Sequence, residues 1–275
     1  MLRAYAFPAL PRMIGPGTEA PTRMNTTHTS AVTKVPEVTL VFWVVKILCT
    51  TLGETGGDAV SMSMHLGYLI GTVIFAAVFL AAVIVQMRAK QFHPTIYWFT
   101  IIATTTVGTT LADYATRELG IGYAGGTALL AALLAGSLFV WRLTLGSVSF
   151  RDVRTPAAES FYWLTIRFSQ TLGTALGDWT ADTAGLGFGR AAVIFSALLG
   201  VLALLYFYTK VSRTALFWSA FILTRPLGAV VGDLLDKPID HGGLALSRYA
   251  ASAVLIALIL IGIFAFKHRA AAHSH

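Results

Sequence analysis

Apolar residues dominate this chain, and the polar residues that interrupt them recur in register. Four times an aromatic–Trp pair opens an apolar stretch, a Gly follows the Trp by ten residues and an Asp by fifteen. Phe42-Trp43 leads to Gly53 and Asp58, and Tyr97-Trp98 to Gly108 and Asp113. Tyr162-Trp163 leads to Gly173 and Asp178, and Phe217-Trp218 to Gly228 and Asp233. A further Gly stands nine residues after each Asp, at Gly67, Gly122, Gly187 and Gly242. A register kept this way four times is an internal repeat.

Between these segments lie four more strongly apolar runs, near residues 66–87, 122–140, 190–208 and 244–266. A bilayer is crossed by about 20 apolar residues in a helix. Together with the Trp-to-Asp segments, the runs predict eight transmembrane helices arranged as four helical hairpins. The runs are continuous, without the period-two alternation of a membrane β-barrel, so the fold class is all-α and polytopic. The Trp residues are spaced by 55, 65 and 55, which makes the repeats two pairs with a longer central linker. An even number of helices per repeat puts all four repeats in the same orientation, related by an axis along the membrane normal. The expected organisation is a disordered tail (1–34), an N-terminal half (35–146), a polar linker (147–157), a C-terminal half (158–267) and a short tail (268–275).

Within each first helix, small residues recur four apart: Gly53 and Gly57, Gly108 and Ala112, Gly173 and Gly177, Gly228 and Gly232. Such spacing lets membrane helices approach closely, and packing is the plain reading of these glycines. Beside them runs a polar stripe at eight, eleven and fifteen residues after the Trp: Thr51, Glu54, Asp58; Thr106, Thr109, Asp113; Thr171, Thr174, Asp178. Offsets of three and four share one helix face. The fourth repeat has Pro226 and Ala229 in place of the hydroxyls and retains only Asp233. Pro226 is expected to kink or interrupt its helix. Lys46, Arg167 and Arg225 are intrahelical cations and are read as counter-charges to the acids. Asp182, Asp236, Asp240, Arg117, Glu118, Lys237 and His241 fall in the turns and read as solvated charges. Asp182, one turn beyond Asp178, is the one of these that joins the candidate ligands.

Charge then sets the orientation. Of 20 Lys and Arg, 13 fall in the termini and the even-numbered connections, four on the opposite side and three within helices. The formal charge of +7 is therefore read as the positive-inside rule rather than as nucleic-acid binding, with both termini cytoplasmic. Cys49 is the only cysteine, so no intrachain disulfide forms, and a small structural residue is the plain reading. The first 34 residues lack a signal-peptide core, and Met24 is an alternative start. His273 and His275 read as tail residues.

Intramembrane acids are functional-site candidates by default. The set here, Glu54, Asp58, Asp113, Asp178 and Asp233 with the hydroxyls of Thr51, Thr106, Thr109, Thr171 and Thr174, is all oxygen. Hard divalent cations take oxygen ligands, and the thiolate and imidazole sets of Zn²⁺ or Cu sites are missing. The same set also suits Na⁺ or proton transfer. No HExxH, GxSxG or phosphate-loop motif is present, and the Gly-Asp pairs at Asp58, Asp178 and Asp233 lack the Tyr-Asp partner of an intramembrane protease, so an enzyme is not expected.

The repeated Thr-x-Gly-x4-Asp motif, its preceding Trp and the eight-helix length resemble an uncharacterised bacterial family of membrane-anchored proteins, over residues 37–268. The resemblance implies a bacterial inner-membrane protein and carries no substrate. The residues themselves lead to a membrane transporter or channel-like protein that binds a divalent cation, with Mn²⁺ ahead of Mg²⁺. The alternative is a non-transport structural or stress-related membrane protein with a polar packing core. The expected partners are the bilayer, a small cation and a second copy of the chain, with no nucleic acid and no covalent cofactor.

Overall fold

The computed structural model describes residues 33–271. Eight α-helices follow in order: α1 (Leu40–Asp58), α2 (Gly67–Arg88), α3 (Pro94–Asp113), α4 (Gly122–Leu145), α5 (Pro156–Asp178), α6 (Gly187–Tyr208), α7 (Arg213–Asp236) and α8 (Arg248–Ala265). The first helix of each repeat starts on a clear signal. Thr39, Thr155 and Ser212 accept hydrogen bonds from the N–H groups of Phe42, Ala158 and Ala215, and α3 opens on Pro94. Side-chain caps and a first-turn Pro satisfy or remove N–H groups that lack a helical partner.

The helices α1, α3, α5 and α7 close into an inner ring, each packed on the next and α7 on α1. Each outer helix packs on the inner helix of the following repeat: α2 on α3, α4 on α5, α6 on α7 and α8 on α1. The chain thus forms a closed, pseudo-fourfold bundle of parallel repeats.

The glycines ten residues after each Trp explain how the ring closes. Gly53 receives Thr105, Gly108 receives Gln170, Gly173 receives Arg225 and Gly228 receives Thr50. In every case the side chain comes from seven residues after the next Trp around the ring. A Cβ on Gly108 would stand 3.1 Å from the Gln170 backbone carbon, and on the other three it would overlap the seated side chain. One turn on, Gly57 faces Thr109, Gly177 faces Ala229 and Gly232 faces Glu54. The packing reading of the glycines holds at each of these contacts.

The aromatic pairs do the same at the other end. Each Trp packs on the aromatic residue of the preceding repeat, with centroids 5.4 Å apart for Phe42–Trp98, 5.9 Å for Tyr97–Trp163, 6.1 Å for Tyr162–Trp218 and 6.0 Å for Phe217–Trp43. The Tyr97 and Tyr162 hydroxyls share a hydrogen bond of 2.8 Å, so neither phenol is buried without a partner. These aromatic contacts link all four repeats around the ring.

Past the Asp, α1, α3 and α5 each widen into one π-helical turn, at Ala59–Ser63, Tyr114–Glu118 and Trp179–Thr183. The outer helix then begins on Gly67, Gly122 or Gly187, with φ of 76°, 72° and 69°. A left-handed backbone at that point accounts for the repeated glycine. The fourth repeat differs: α7 runs on to Asp236 and is followed by a short 3-10 turn, Ile239–His241. The helix is unbroken through Pro226, contrary to the expected interruption. In the turn before Pro226, Lys46 and Thr224 donate to the Phe221 carbonyl and Thr50 donates to that of Thr224.

Six helices are long and apolar enough to cross a membrane: α1 with its π turn, α2, α4, α6, α7 and α8. In α2 only 11% of the most apolar window is buried inside the protein, against 61% in α1, so the outer helices present apolar side chains such as Leu69, Val73, Phe139 and Val193 outward. Patches of that extent mark contact with lipid or protein. α3 and α5 fall below this hydropathy level because they carry the threonines and glutamine of the inner ring, which the other helices shield.

The two ends of the described segment meet. The Glu37 N–H donates to the Arg269 carbonyl (2.8 Å) and the Ala271 N–H to that of Val35 (2.9 Å). Lys34 pairs with Glu159 at 2.7 Å and donates to the Met87 carbonyl. Residues 33–34 and 268–271 are therefore packed structure and not tail as expected. The rest of the expected tails lies outside the described residues, including Met24, His273 and His275.

Candidate functional site

The ring axis carries polar layers that follow from the repeat register. Seven residues after the Trp stand Thr50, Thr105, Gln170 and Arg225; eleven after it, Glu54, Thr109, Thr174 and Ala229; fifteen after it, the four Asp. Because the repeats are parallel and closed into a ring, equivalent positions converge. One oxygen each of Glu54, Asp178 and Asp233 lie within 4.8 Å of one another, as do those of Glu54, Asp58 and Asp113. A third such group is Asp58, Asp233 and Asp236. All five acids of the predicted site thus join one buried cluster, and Asp236 adds a sixth. It joins because α7 continues one turn past Asp233.

Among the described residues, four cations meet this cluster. Arg225 is fully buried and its Nη2 donates to Glu54 Oε2 (3.0 Å), to Thr109 Oγ1 (2.6 Å) and to Thr174 Oγ1. Arg117 bridges Asp113 (3.0 Å) and Asp178 (3.5 Å). Lys237 bridges Asp58 (2.5 Å) and Asp233 (3.1 Å). Arg248 pairs with Asp236 at 2.9 Å, reaches Asp58 at 3.9 Å and donates to Ser63. Burial works against the charge of Lys237, but Asp233, Asp58 and Asp236 outweigh it and hold its ammonium well above the ordinary lysine value.

These pairings correct the sequence reading in several places. Arg117, Lys237 and Asp236 are not solvated turn charges. Arg117 and Lys237 stand at the same place in the second and fourth repeats, each four residues after its own Asp, and each also reaches the Asp of the next repeat. That spacing of four within a helical segment was the available signal. Of the three expected counter-charges, only Arg225 meets an acid. Lys46 donates to Thr224 Oγ1 and the Phe221 carbonyl and lies 3.8 Å from the Phe221 ring centre. Arg167 donates to Thr171 of its own helix at 2.6 Å. Asp182 is exposed and lies apart from the cluster, because its π turn points it outward.

The hydroxyls divide as well. Thr109 and Thr174 face Arg225, and Thr109 also donates to Glu54 at 3.2 Å. Thr51, Thr106 and Thr171 instead donate to the carbonyls of Ile47, Ile102 and Arg167 on their own helices, the usual back-bonding of a helical threonine. The +8 hydroxyls are therefore satisfied within their own helices, and the +11 hydroxyls of Thr109 and Thr174 reach the axis.

Among the described residues, six carboxylates against four cations leave two acids in excess when all are ionised. Asp178 Oδ1 is buried without a hydrogen-bond partner. Oxygens within 4.8 Å of one another can share one hard cation at the usual 2.0–2.6 Å. Arg117, Lys237 and Arg248 are the partly exposed members, with side chains 30%, 13% and 20% exposed against 1–2% for the four repeat Asp, so they separate the acids from the outside.

No curated protein and no solved structure matches the chain. A family model does, at residues 41–92, 96–146, 161–212 and 216–272, which are the four repeats recognised here. The chain belongs to the family described as Repeat of Unknown Function (DUF347).

Proposed function

We propose that this protein spans a bacterial inner membrane eight times, with both termini cytoplasmic, and binds and moves a hard divalent cation. The observation that carries the reading is the convergence of Glu54, Asp58, Asp113, Asp178, Asp233 and Asp236 around one axis with two more acids than cations. One divalent ion balances that excess. Mn²⁺ is placed ahead of Mg²⁺ because a site rich in protein carboxylates favours an ion that sheds water, and Mg²⁺ dehydrates reluctantly. Entry is from the side of Arg117, Lys237 and Arg248, the partly exposed members of the cluster, and the aromatic pairs stand at the other end of the inner helices. α3 and α5 complete the eight spans as members of the inner ring, with α2 and α4 packed on their outer sides. Catalysis is not part of the reading.

A second reading has its own support. Arg117 and Lys237 each tie the Asp of one repeat to that of the next, so the same residues also serve as a network that locks the ring. Such a network needs no ion. Buried pairs of this kind serve specificity in some proteins and add little net stability.

The experiment is a melting series of the purified protein with Mn²⁺, Mg²⁺, Ca²⁺, Zn²⁺ and Na⁺, together with Glu54→Gln and Asp58→Asn. A ligand at a hundredfold excess over its dissociation constant stabilises by about 2.7 kcal/mol. Wild type is expected to gain most with Mn²⁺, and both variants to lose that gain while remaining folded and monodisperse. Uptake of Mn²⁺ into proteoliposomes then separates binding from movement. Folded variants with the full wild-type shift, or a wild type indifferent to every cation, would leave the locking network as the function of these residues.

A further inference from the structure

A second site lies at the opposite end of the bundle. Between α1, α6 and α7 is a groove of about 660 Å³, within the size range of small-molecule sites. Its walls are apolar: Trp43 and Ile47 from α1, Leu199 and Leu202 from α6, Phe217 from α7. Its mouth carries two arginines, Arg151 and Arg213, against a single acid, Glu37. Arg213 donates to the Tyr206 carbonyl and lies 4.3 Å from the centre of the Tyr206 ring, which holds it at the rim. Arg151 is placed by the ten residues that lengthen the central linker, where Phe150 stacks on Phe217 with centroids 4.1 Å apart.

The groove opens on the outward face of α6, whose end bears the exposed aromatics Tyr206, Phe207 and Tyr208. Aromatic residues concentrate where a membrane helix meets the headgroup level. An apolar slot running under a pair of cations at that level fits one class of molecule, an amphiphile with an acyl chain and a phosphate. The first 32 residues of the chain are a poor occupant by charge, since they carry Arg3, Arg12 and Arg23 against one acid, Glu19.

We propose that this groove binds one anionic phospholipid, its acyl chain along Trp43, Ile47, Leu199 and Leu202 and its phosphate between Arg151 and Arg213. The longer linker between the two pairs of repeats then has a role: it brings Phe150 and Arg151 to one corner of a ring that is otherwise fourfold. The site is separate from the carboxylate ring and does not depend on a cation there.

Native mass spectrometry and melting of the full-length protein in phosphatidylcholine nanodiscs, with and without added phosphatidylglycerol, test this. Wild type is expected to retain one phosphatidylglycerol and to melt higher with it than in phosphatidylcholine alone. Each interfacial arginine contributes about fivefold, so Arg151→Gln with Arg213→Gln should weaken retention by roughly thirtyfold. Both side chains lie at the rim, and the melting temperature of the double variant in pure phosphatidylcholine reports whether it folds. Ala203→Trp, which fills the slot and leaves both arginines, should abolish retention too. Equal retention of the two lipids by wild type overturns the proposal, as does undiminished phosphatidylglycerol binding by either folded variant. So does a melting shift produced equally by inorganic phosphate, or a groove occupied by a second copy, seen as a dimer that Ala203→Trp dissociates.

Discussion

The close seating of α7 on α5 can be tested with a single methyl group. In Gly173→Ala the new Cβ would lie 2.5 Å from Arg225 Cβ and 3.1 Å from Pro226 Cδ, and would overlap Arg225 Cγ. Ordinary contact is 3.4–4 Å, so α7 must retreat by about 1 Å, a gap that forfeits up to about half of the dispersion contact. Arg225 cannot swing clear, because its guanidinium is held by Glu54 and Thr109 at the far end. Overpacking of this kind costs about 1–3 kcal/mol. The better helix propensity of Ala returns about 0.5–1 kcal/mol, which leaves a net loss of up to about 2.5 kcal/mol. For a chain of this size that is up to roughly 10 °C in melting temperature. Gly56→Ala is the matched control, a helical glycine with nothing within 4 Å of its added Cβ, and should melt slightly higher than wild type. Gly173→Leu should fall further than Gly173→Ala. The assay is thermal melting in detergent followed by size exclusion. If Gly173→Ala melts as high as Gly56→Ala, the two inner helices do not approach as described and the seating argument fails for the whole ring.

Removing Arg225 as Arg225→Met leaves Glu54 buried beside uncompensated acids and should cost about 3–5 kcal/mol; adding Glu54→Gln should restore part of it, and an additive double variant would show that the two do not interact. Tyr97→Phe should cost about 1 kcal/mol by stranding the Tyr162 hydroxyl, and Tyr97→Phe with Tyr162→Phe should melt higher than twice that loss predicts; strict additivity in a double-mutant cycle would argue against the 2.8 Å bond. For topology, reporter fusions at Arg154 and Lys267 should both read cytoplasmic and one at Lys237 should read outside; opposite readings at Arg154 and Lys267 would remove the eight-span arrangement.

Much of the architecture was legible because the repeat is exact in register. Parallel repeats with an Asp at one fixed place must bring four Asp together once the ring closes, and a Gly ten residues after each Trp must mark a close approach. Helical class, hairpin organisation and the acids of the axis therefore follow from the chain alone. What the chain does not encode position by position is how far each helix is rotated and offset against its neighbour. That offset seats the residue seven after one Trp against the Gly ten after the previous one, and so sends Arg225 to Glu54 while Lys46 meets Phe221 and Thr224. It also folds Arg117 and Lys237 inward across two repeats each and turns Asp182 away. Periodicity ranks the positions on one helix by face. Only the packed ring, with its side chains competing for the same few buried partners, decides which cation meets which acid.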